Sequence, residues 1–515
     1  MICKITIKDG EYFWGGPTCR GATMPITAGC DYDRDFRRAA PNQFTSLLLS
    51  SKGRYVWADG TFHMWVEGDL LFLEGDGFEV VEAGKTLRDA YVGAMKAHFP
   101  FENKTLPREF FKTAQYNTWM EFPYNPTQAG ILGYAHDIID NGFEPGIFMI
   151  DEGWQSYYGR WRFDAERFPD PKGMVDALHR LGFIVMLWVT PFVTPDGEHF
   201  AKSTMKEFND YSKCQYVRTK TGDVALFKWW NGFSAALDFT KEWDCEFLDS
   251  KLQFLMDEYG VDGFKFDGGS YHLYHPENIV NGQAPDGYDA IELNRAWNEF
   301  GTRYRFHEFK DTFNGGGKAV IQRLSDRAHS WTNGGIDALI PSTLLQGLMG
   351  YPYVCPDMIG GGSWIYNFGD AEVDGELFVR MAQISALLPM MQFSWAPWRV
   401  LSDSHLDAVK SAARLHSEMA DEIIAYVDRA RRDGEPIIRS LEYNFPEGGY
   451  ATVNDQFMLG TDILVCPVTT KETYRRDVVF PVGVWQDTDG NNYEGPATVC
   501  LDSPVEKLLW FRKIK

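Results

Sequence analysis

Four places in this chain set acids and bases directly behind short apolar runs. Asp151 and Glu152 follow "GIFMI", and Lys265 and Asp267 sit in "VDGFKFDGG". Arg323 and Asp326 lie in "VIQRLSDRAHSW", and Asp357 in "YVCPDMIGGG". Trp119, Trp154, Trp188, Trp331 and Trp395 stand at or just past the same kind of position. Carboxylates accept hydrogen bonds from hydroxyls and move protons, while indole faces stack on the C–H faces of sugar rings. Acids ringed by indoles are therefore the equipment of a saccharide site. Cleaving a glycosidic bond needs two carboxyls in different environments, one ionised to attack the anomeric carbon and one protonated for the leaving oxygen. Asp267 suits attack, because the cation of Lys265 favours its charged form. Asp326 is expected after the next strand, past a polar turn, where an acid can be held over a cleft. They are 59 residues apart, the length of one strand–helix unit with a long loop, which predicts adjacent strand ends.

Taken singly, each residue has an ordinary explanation. Asp-Gly is turn chemistry, so Asp267 could simply open a loop. Asp151-Glu152 before Gly-Trp reads as a loop start, a lone Trp as core, and Lys265 as half of a structural ion pair. "GGG" after Asp357 lacks the Lys-Ser/Thr of a phosphate loop. Acids at four strand ends together are harder to dismiss. On the catalytic reading, Gly268 and Gly269 leave room for a sugar to approach Asp267.

These residues need a scaffold that brings strand ends together, and the periodicity supplies one. Residues 1–105 show short alternating segments, "CKITIK", "RYVWAD", "FHMWVEG" and "DLLFLEG", which predict an antiparallel, sandwich-like β-domain. From about residue 112 apolar strands alternate with amphipathic helices. Asp170-Pro171 supplies an N-cap and a first-turn proline before Met174, Ala177, Leu178 and Leu181, and "FIVMLWVTP" comes next as a buried strand. A helix near 241–259 precedes "VDGFKFDGG". Later strands are predicted in "KAVIQR", "YPYVCPD", "MMQFS" and "PIIRSLEY". The expectation is an α/β chain: a (β/α)8 TIM barrel over 106–455, an N-terminal antiparallel β-domain over 1–105, and a small C-terminal β-domain over 456–515.

Composition narrows the partners. A net charge of −22 disfavours nucleic acid and anionic membrane surfaces, which select basic patches. A neutral oligosaccharide or glycoconjugate suits such a surface, and assembly into a homo-oligomer is compatible with it. The eight cysteines, at 3, 19, 30, 214, 245, 355, 466 and 500, form no C-x-x-C pair, so free thiols are expected and zinc motifs are absent. The first residues, "MICKITIKDGEYFWGG", contain no signal-like apolar stretch, and no apolar run of about 18 residues occurs. A cytoplasmic location and no membrane span are expected.

At the acids themselves the chain resembles glycoside hydrolase family 31. "KFDGG" resembles the family's nucleophile motif closing the fourth barrel strand. Asp326, five residues before Trp331, falls where the acid/base is found in the following loop. "LMGYPYVCPDMIGGG" (348–362) resembles a segment ending in an Asp-Ile-Gly-Gly-like motif. "YNTWMEFPYN", "MIDEGW", "FPDPKGMVDALHRLGFIVMLWVTPFV" and "MQFSWAPW" are closer to one branch, which includes bacterial α-galactosidases and the mammalian myogenesis-regulating glycosidase. The resemblance runs from about residue 112 to 490. It implies a retaining exo-acting α-glycosidase with a covalent glycosyl-Asp267 intermediate, Asp326 as acid and then base, and no cofactor. It further implies a sugar pocket lined by Asp151, Lys265, Arg323 and Asp357. Glu152 and the indoles of Trp119, Trp188 and Trp395 join that pocket on the strand-end reading. Many α-glucosidases of the family carry Arg-Asn-His after the seventh strand. Here that place reads "QFSWAPW", which speaks against glucose and is compatible with the α-galactosidase branch, with α-N-acetylgalactosaminidase or α-glucosidase as the alternatives.

Two other readings fit the same residues. Asp151, Asp267 and Asp357 could hold Mg²⁺, although Lys265 opposes a cation there. A non-catalytic sugar-binding protein could also keep the pocket.

Overall fold

The strands that carry the candidate residues are short, buried on both faces and parallel. In the computed structural model, which describes residues 1–38, 42–204, 215–363 and 373–515, the chain divides into two units. One is Gln115–Phe313 and the other combines Met1–Ala114 with Asn314–Lys515.

In Gln115–Phe313, five strands lie side by side in chain order: Gln115–Asn117, Ile147–Ile150, Ile184–Val189, Gly263–Phe266 and Phe306–Phe309. Every pairing is parallel, with Ile147 opposite Ile184, Trp188 opposite Lys265, and Lys265 opposite Glu308. Continuous apolar runs such as "IFMI" form such strands because helices cover the sheet's outer face and side chains fill its inner one. The helices start where capping chemistry predicts. Thr127 caps Gln128–Asp140 through the Gly130 N–H, and Asp170 caps Pro171–Arg180 through Gly173. Glu242–Tyr259 stops at Gly260, whose φ of 81° no β-carbon-bearing residue adopts cheaply, and the chain turns directly into Gly263–Phe266. A separate antiparallel sheet joins Phe192–Val193 to the hairpin of Leu226–Trp229 and Gly232–Ala236.

The other unit opens with two four-stranded antiparallel sheets. Ile2–Thr6, Leu70–Glu74, His63–Glu67 and Asp33–Asp35 make one. Phe13–Pro17, Phe44–Ser50, Arg54–Trp57 and Glu79–Glu82 make the other. Two parallel pairs come next, Gln322–Arg323 with Val354–Cys355 and Met358–Ile359 with Gln392–Phe393. A six-stranded antiparallel sheet ends the chain, its core built on Leu441, Met458, Leu464, Val478, Phe480, Trp485 and Phe511.

Several elements differ from the periodicity reading. Helix Leu87–His98 interrupts the expected all-β start, fixed by a reciprocal capping box between Thr86 and Asp89. "PIIRSLEY" is extended only at Ile438–Arg439, pairs antiparallel with Phe457–Leu459, and then turns into helix Leu441–Asn444 because Ser440 caps the Tyr443 N–H. Strand Phe306–Phe309 has no counterpart in the periodicity reading. Both edges of Gly263–Phe266 are taken, by Ile184–Val189 and Phe306–Phe309. The interval from Asp267 to Asp326 therefore holds two strands, and these acids do not lie behind adjacent ones. Among the described residues no helix is long and apolar enough to cross a membrane. Cys3, Cys30, Cys245, Cys466 and Cys500 are thiols, and Cys214 lies outside the described residues.

Candidate active site

Asp267 leaves the end of Gly263–Phe266 with only 7% of its surface exposed. Its Oδ2 accepts the indole N–H of Trp188 at 3.1 Å, and its Oδ1 accepts the Gly268 N–H at 2.8 Å. Lys265 points the same way, since residues two apart on a strand share a face. Its Nζ is 4.0 Å from Asp267 Oδ2 but only 2.6 Å from Asp151 Oδ2. The lysine thus pairs first with Asp151, which also accepts from Asn117 Nδ2 at 2.7 Å. A buried ammonium persists only with such partners. For Asp267 the outcome is a side chain held in one orientation by two N–H donors, with a cation nearby.

Gly268 and Gly269 have a packing explanation rather than the one expected. A β-carbon on Gly268 would lie 2.5 Å from Thr190 Oγ1, and one on Gly269 would lie 2.0 Å from Trp297 Cδ1. Their missing side chains admit Thr190 and Trp297, not a sugar.

Glu152, next to Asp151, is 4% exposed. Its Oε1 accepts the Tyr158 hydroxyl at 2.5 Å and the Asn231 side-chain N–H, and its Oε2 accepts the Trp230 indole N–H at 3.3 Å. Burial pushes this carboxyl up to about 7, and the charges of Asp151 and Asp267 push in the same direction. Sequence reasoning missed Tyr158, Trp230 and Asn231. The available signal was "WWNGF", where Asn-Gly between aromatic strand residues marks a tight hairpin. Glu308, level with Lys265, was missed together with its strand.

The indoles divide by role. Trp154 is fully buried and donates to the Trp188 carbonyl at 2.8 Å, and Trp188 is 1% exposed. Trp119, 8% exposed, packs edge-on against Tyr124 at 5.1 Å. These three rings are buried and leave no open stacking face. Trp230, 42% exposed, shows a face.

The remaining predicted residues belong to the other unit and form their own network. Arg323 Nη1 reaches Asp357 Oδ1 at 2.6 Å and Asp326 Oδ1 at 2.9 Å. Asp357 Oδ2 also accepts the backbone N–H groups of Arg327 at 2.7 Å and Gly362 at 3.1 Å. Burial nevertheless pushes Asp357 up to about 6, opposed by the Arg323 guanidinium. The side chain of Asp326 is 29% exposed, so it keeps access to solvent that Asp357 lacks. Trp331 donates its N–H to Asp374 Oδ2 at 3.0 Å. The buried indole N–H of Trp395 has no hydrogen-bond partner among the described residues.

Chemically, the first cluster offers a desolvated, oriented carboxylate and the second an arginine-bound, accessible one. The family model for the glycosyl hydrolases family 31 TIM-barrel domain matches residues 110–423, and that for the family's C-terminal domain matches 434–513. The Myogenesis-regulating glycosidase of Mus musculus is 30% identical over 425 residues, 80% of this chain and 57% of that protein. Alpha-glucosidase 2 of Bacillus thermoamyloliquefaciens is 24% identical over 415 residues, covering 75% of this chain and 50% of its own. The chain thus spans about half the length of these relatives. The GH31 dextranase of Flavobacterium johnsoniae, solved with glucose, aligns with a TM-score of 0.83 at 18% identity, covering 99% of this chain and 66% of that one. That likeness is one of fold. With the matched barrel domain, it identifies the parallel strands as those of a (β/α)8 barrel accompanied by antiparallel β-sheets.

Proposed function

This chain belongs to glycosyl hydrolase family 31, and from that premise we propose that it is a retaining, exo-acting α-glycosidase for oligosaccharides or glycoconjugates. Asp267 attacks the anomeric carbon while Asp326 gives its proton to the departing oxygen. Asp326 then takes a proton from water, which attacks and frees Asp267. The observation that carries this reading is the setting of Asp267: buried, held by the Trp188 indole N–H and the Gly268 N–H, with Lys265 4.0 Å away. A carboxylate so fixed needs little reorganisation to attack, which is where electrostatic catalysis gains most. Asp151, Lys265, Arg323 and Asp357 are assigned to the sugar's hydroxyls, and Trp119, Trp188 and Trp395 to the walls. The same reading keeps the division into an N-terminal β-domain (1–105), a barrel (106–455) and a C-terminal β-domain (456–515).

For the glycone we infer galactose, because "QFSWAPW" lacks the His that many α-glucosidases of the family place after this strand. A second reading, α-glucosidase or α-xylosidase, is favoured by relatives named Alpha-glucosidase 2 and Alpha-xylosidase XylQ. A panel of p-nitrophenyl α-glycosides separates them. Fastest release from the galactoside supports the first, and fastest release from the glucoside or xyloside replaces it with the second. Failure on every α-glycoside removes the glycosidase assignment.

A further inference from the structure

Glu152 has a different task from its neighbour Asp151. Both of its oxygens are occupied, by Tyr158 and Asn231 on Oε1 and by Trp230 on Oε2. Asn231 also donates to the Tyr158 hydroxyl at 2.8 Å, so Asn231, Tyr158 and the carboxylate close a ring. Trp230 and Asn231 are the tip of the hairpin formed by Leu226–Trp229 and Gly232–Ala236.

Burial does not hold that tip. Trp230 is 42% exposed and Phe233 54% exposed, so the apolar area removed from water there is small. The hairpin's body is anchored one residue earlier. Trp229 is 5% exposed, packs on Tyr158 at 5.0 Å, and donates to Ser234 Oγ at 3.0 Å. Past Trp229, the side chains of the tip are tied by their hydrogen bonds to Glu152 and Tyr158. If Glu152 served packing alone, an apolar side chain would cost less than a buried carboxyl.

The geometry points to Glu152 as a positioning residue: it latches the hairpin tip and fixes the exposed indole of Trp230 against the residue that follows Asp151. This rests on the glycosidase reading and deepens it, since a fixed indole face sets how tightly the substrate is held. The groups facing Glu152 make the latch sensitive to pH. Asp151 and Asp267 oppose its charge, Lys265 is engaged with Asp151, and Tyr124 and Tyr158 both stay protonated well above neutrality. Charged, the carboxylate accepts all three donors. Protonated, it carries a hydrogen on one oxygen and forfeits an acceptor bond, most easily the 3.3 Å bond from Trp230. The latch therefore holds above about pH 7 and loosens below it.

Two measurements test this. Hydrogen–deuterium exchange at one fixed pH of about 7.5 compares peptides spanning 226–236 in wild type, Glu152→Gln and Tyr158→Phe. Faster exchange confined to those peptides in both variants is expected, and unchanged exchange overturns the latch. Steady-state kinetics on the best p-nitrophenyl α-glycoside should then show KM raised about tenfold in both variants, with kcat within about threefold, as for loss of one charge-assisted hydrogen bond. Wild-type KM should rise as pH falls through about 7, and Glu152→Gln should lose that rise. A fall in kcat at constant KM, or a KM profile that Glu152→Gln leaves unchanged, overturns the positioning role. If wild type cleaves no glycoside while the hairpin still loosens in the variants, the proposed function fails and the latch stands.

Discussion

Replacing Lys265 by Met removes the cation placed between two buried carboxylates. Its Nζ lies 2.6 Å from Asp151 and 4.0 Å from Asp267, with all three side chains at most 7% exposed. At 4 Å and an effective dielectric near 20, one such attraction is about 4 kcal/mol. Deleting one partner of a buried pair typically costs about 3–5 kcal/mol, because the other charge is left desolvated and uncompensated. Set against a total stability of roughly 5–15 kcal/mol, Lys265→Met should still fold but be much weakened. Urea unfolding followed by tryptophan emission measures the loss, with Asp151→Asn and the double variant completing a thermodynamic cycle. The double variant should recover at least about half of the loss, since a neutral amide in place of the Asp151 carboxylate no longer needs a cation. Turnover of Lys265→Met should fall at least about a hundredfold, in proportion to the lost field at Asp267. A Lys265→Met protein within about 0.5 kcal/mol of wild type would refute the reasoning, as would a double variant no more stable than the single one.

Trp188→Phe keeps an aromatic ring but removes the N–H to Asp267; kcat/KM should fall about ten- to a hundredfold with the circular dichroism unchanged. Asp357→Asn removes the charge of Arg323's 2.6 Å partner, and urea unfolding should show a loss of about 3–5 kcal/mol that a further Arg323→Met change partly restores. The latch's donors favour a charged Glu152, but burial outweighs them; raised to about 7 from 4.5, this carboxyl contributes stability to the whole fold that is full below about 4.5 and lost as pH rises through about 7. Glu152→Gln should remove that dependence, about 3 kcal/mol, from unfolding midpoints measured across the range. His416 has the opposite sign: burial lowers it to about 4, so its contribution is full above about 6.5 and lost as pH falls through about 4. His416→Gln should make acid unfolding shallower over that window, again by about 3 kcal/mol.

The features legible in the chain were local ones. Asp170-Pro171 announced a helix start, Gly260 announced a helix end, and "IFMI", "IVMLWV" and "GFKF" announced buried parallel strands. The acids at those strand ends could be placed directly, because parallel strands deliver the residues after them to one side of the sheet. The features that escaped depend on partners distant in sequence. Spacing suggested Lys265 with Asp267, yet its closest partner is Asp151, 114 residues away. The latch joins Glu152 to Asn231 across 79 residues, and no local pattern encodes that contact. Strand Phe306–Phe309 was hidden because "FHEF" carries His307 and Glu308, polar residues that break an apolar run although both are buried. The two glycines after Asp267 were legible as unusual but not as packing, since Thr190 and Trp297 come from other elements.

The central claim is that Asp267 becomes covalently glycosylated. The wild-type protein, incubated with the 5-fluoro-α-glycosyl fluoride of its preferred sugar, quenched in acid and digested, yields peptides for mass spectrometry. One peptide containing residues 263–269 should be heavier by one fluoroglycosyl unit, with fragmentation placing the sugar on Asp267. A protein that turns over substrate but carries no label, or carries it on another carboxylate, contradicts the account.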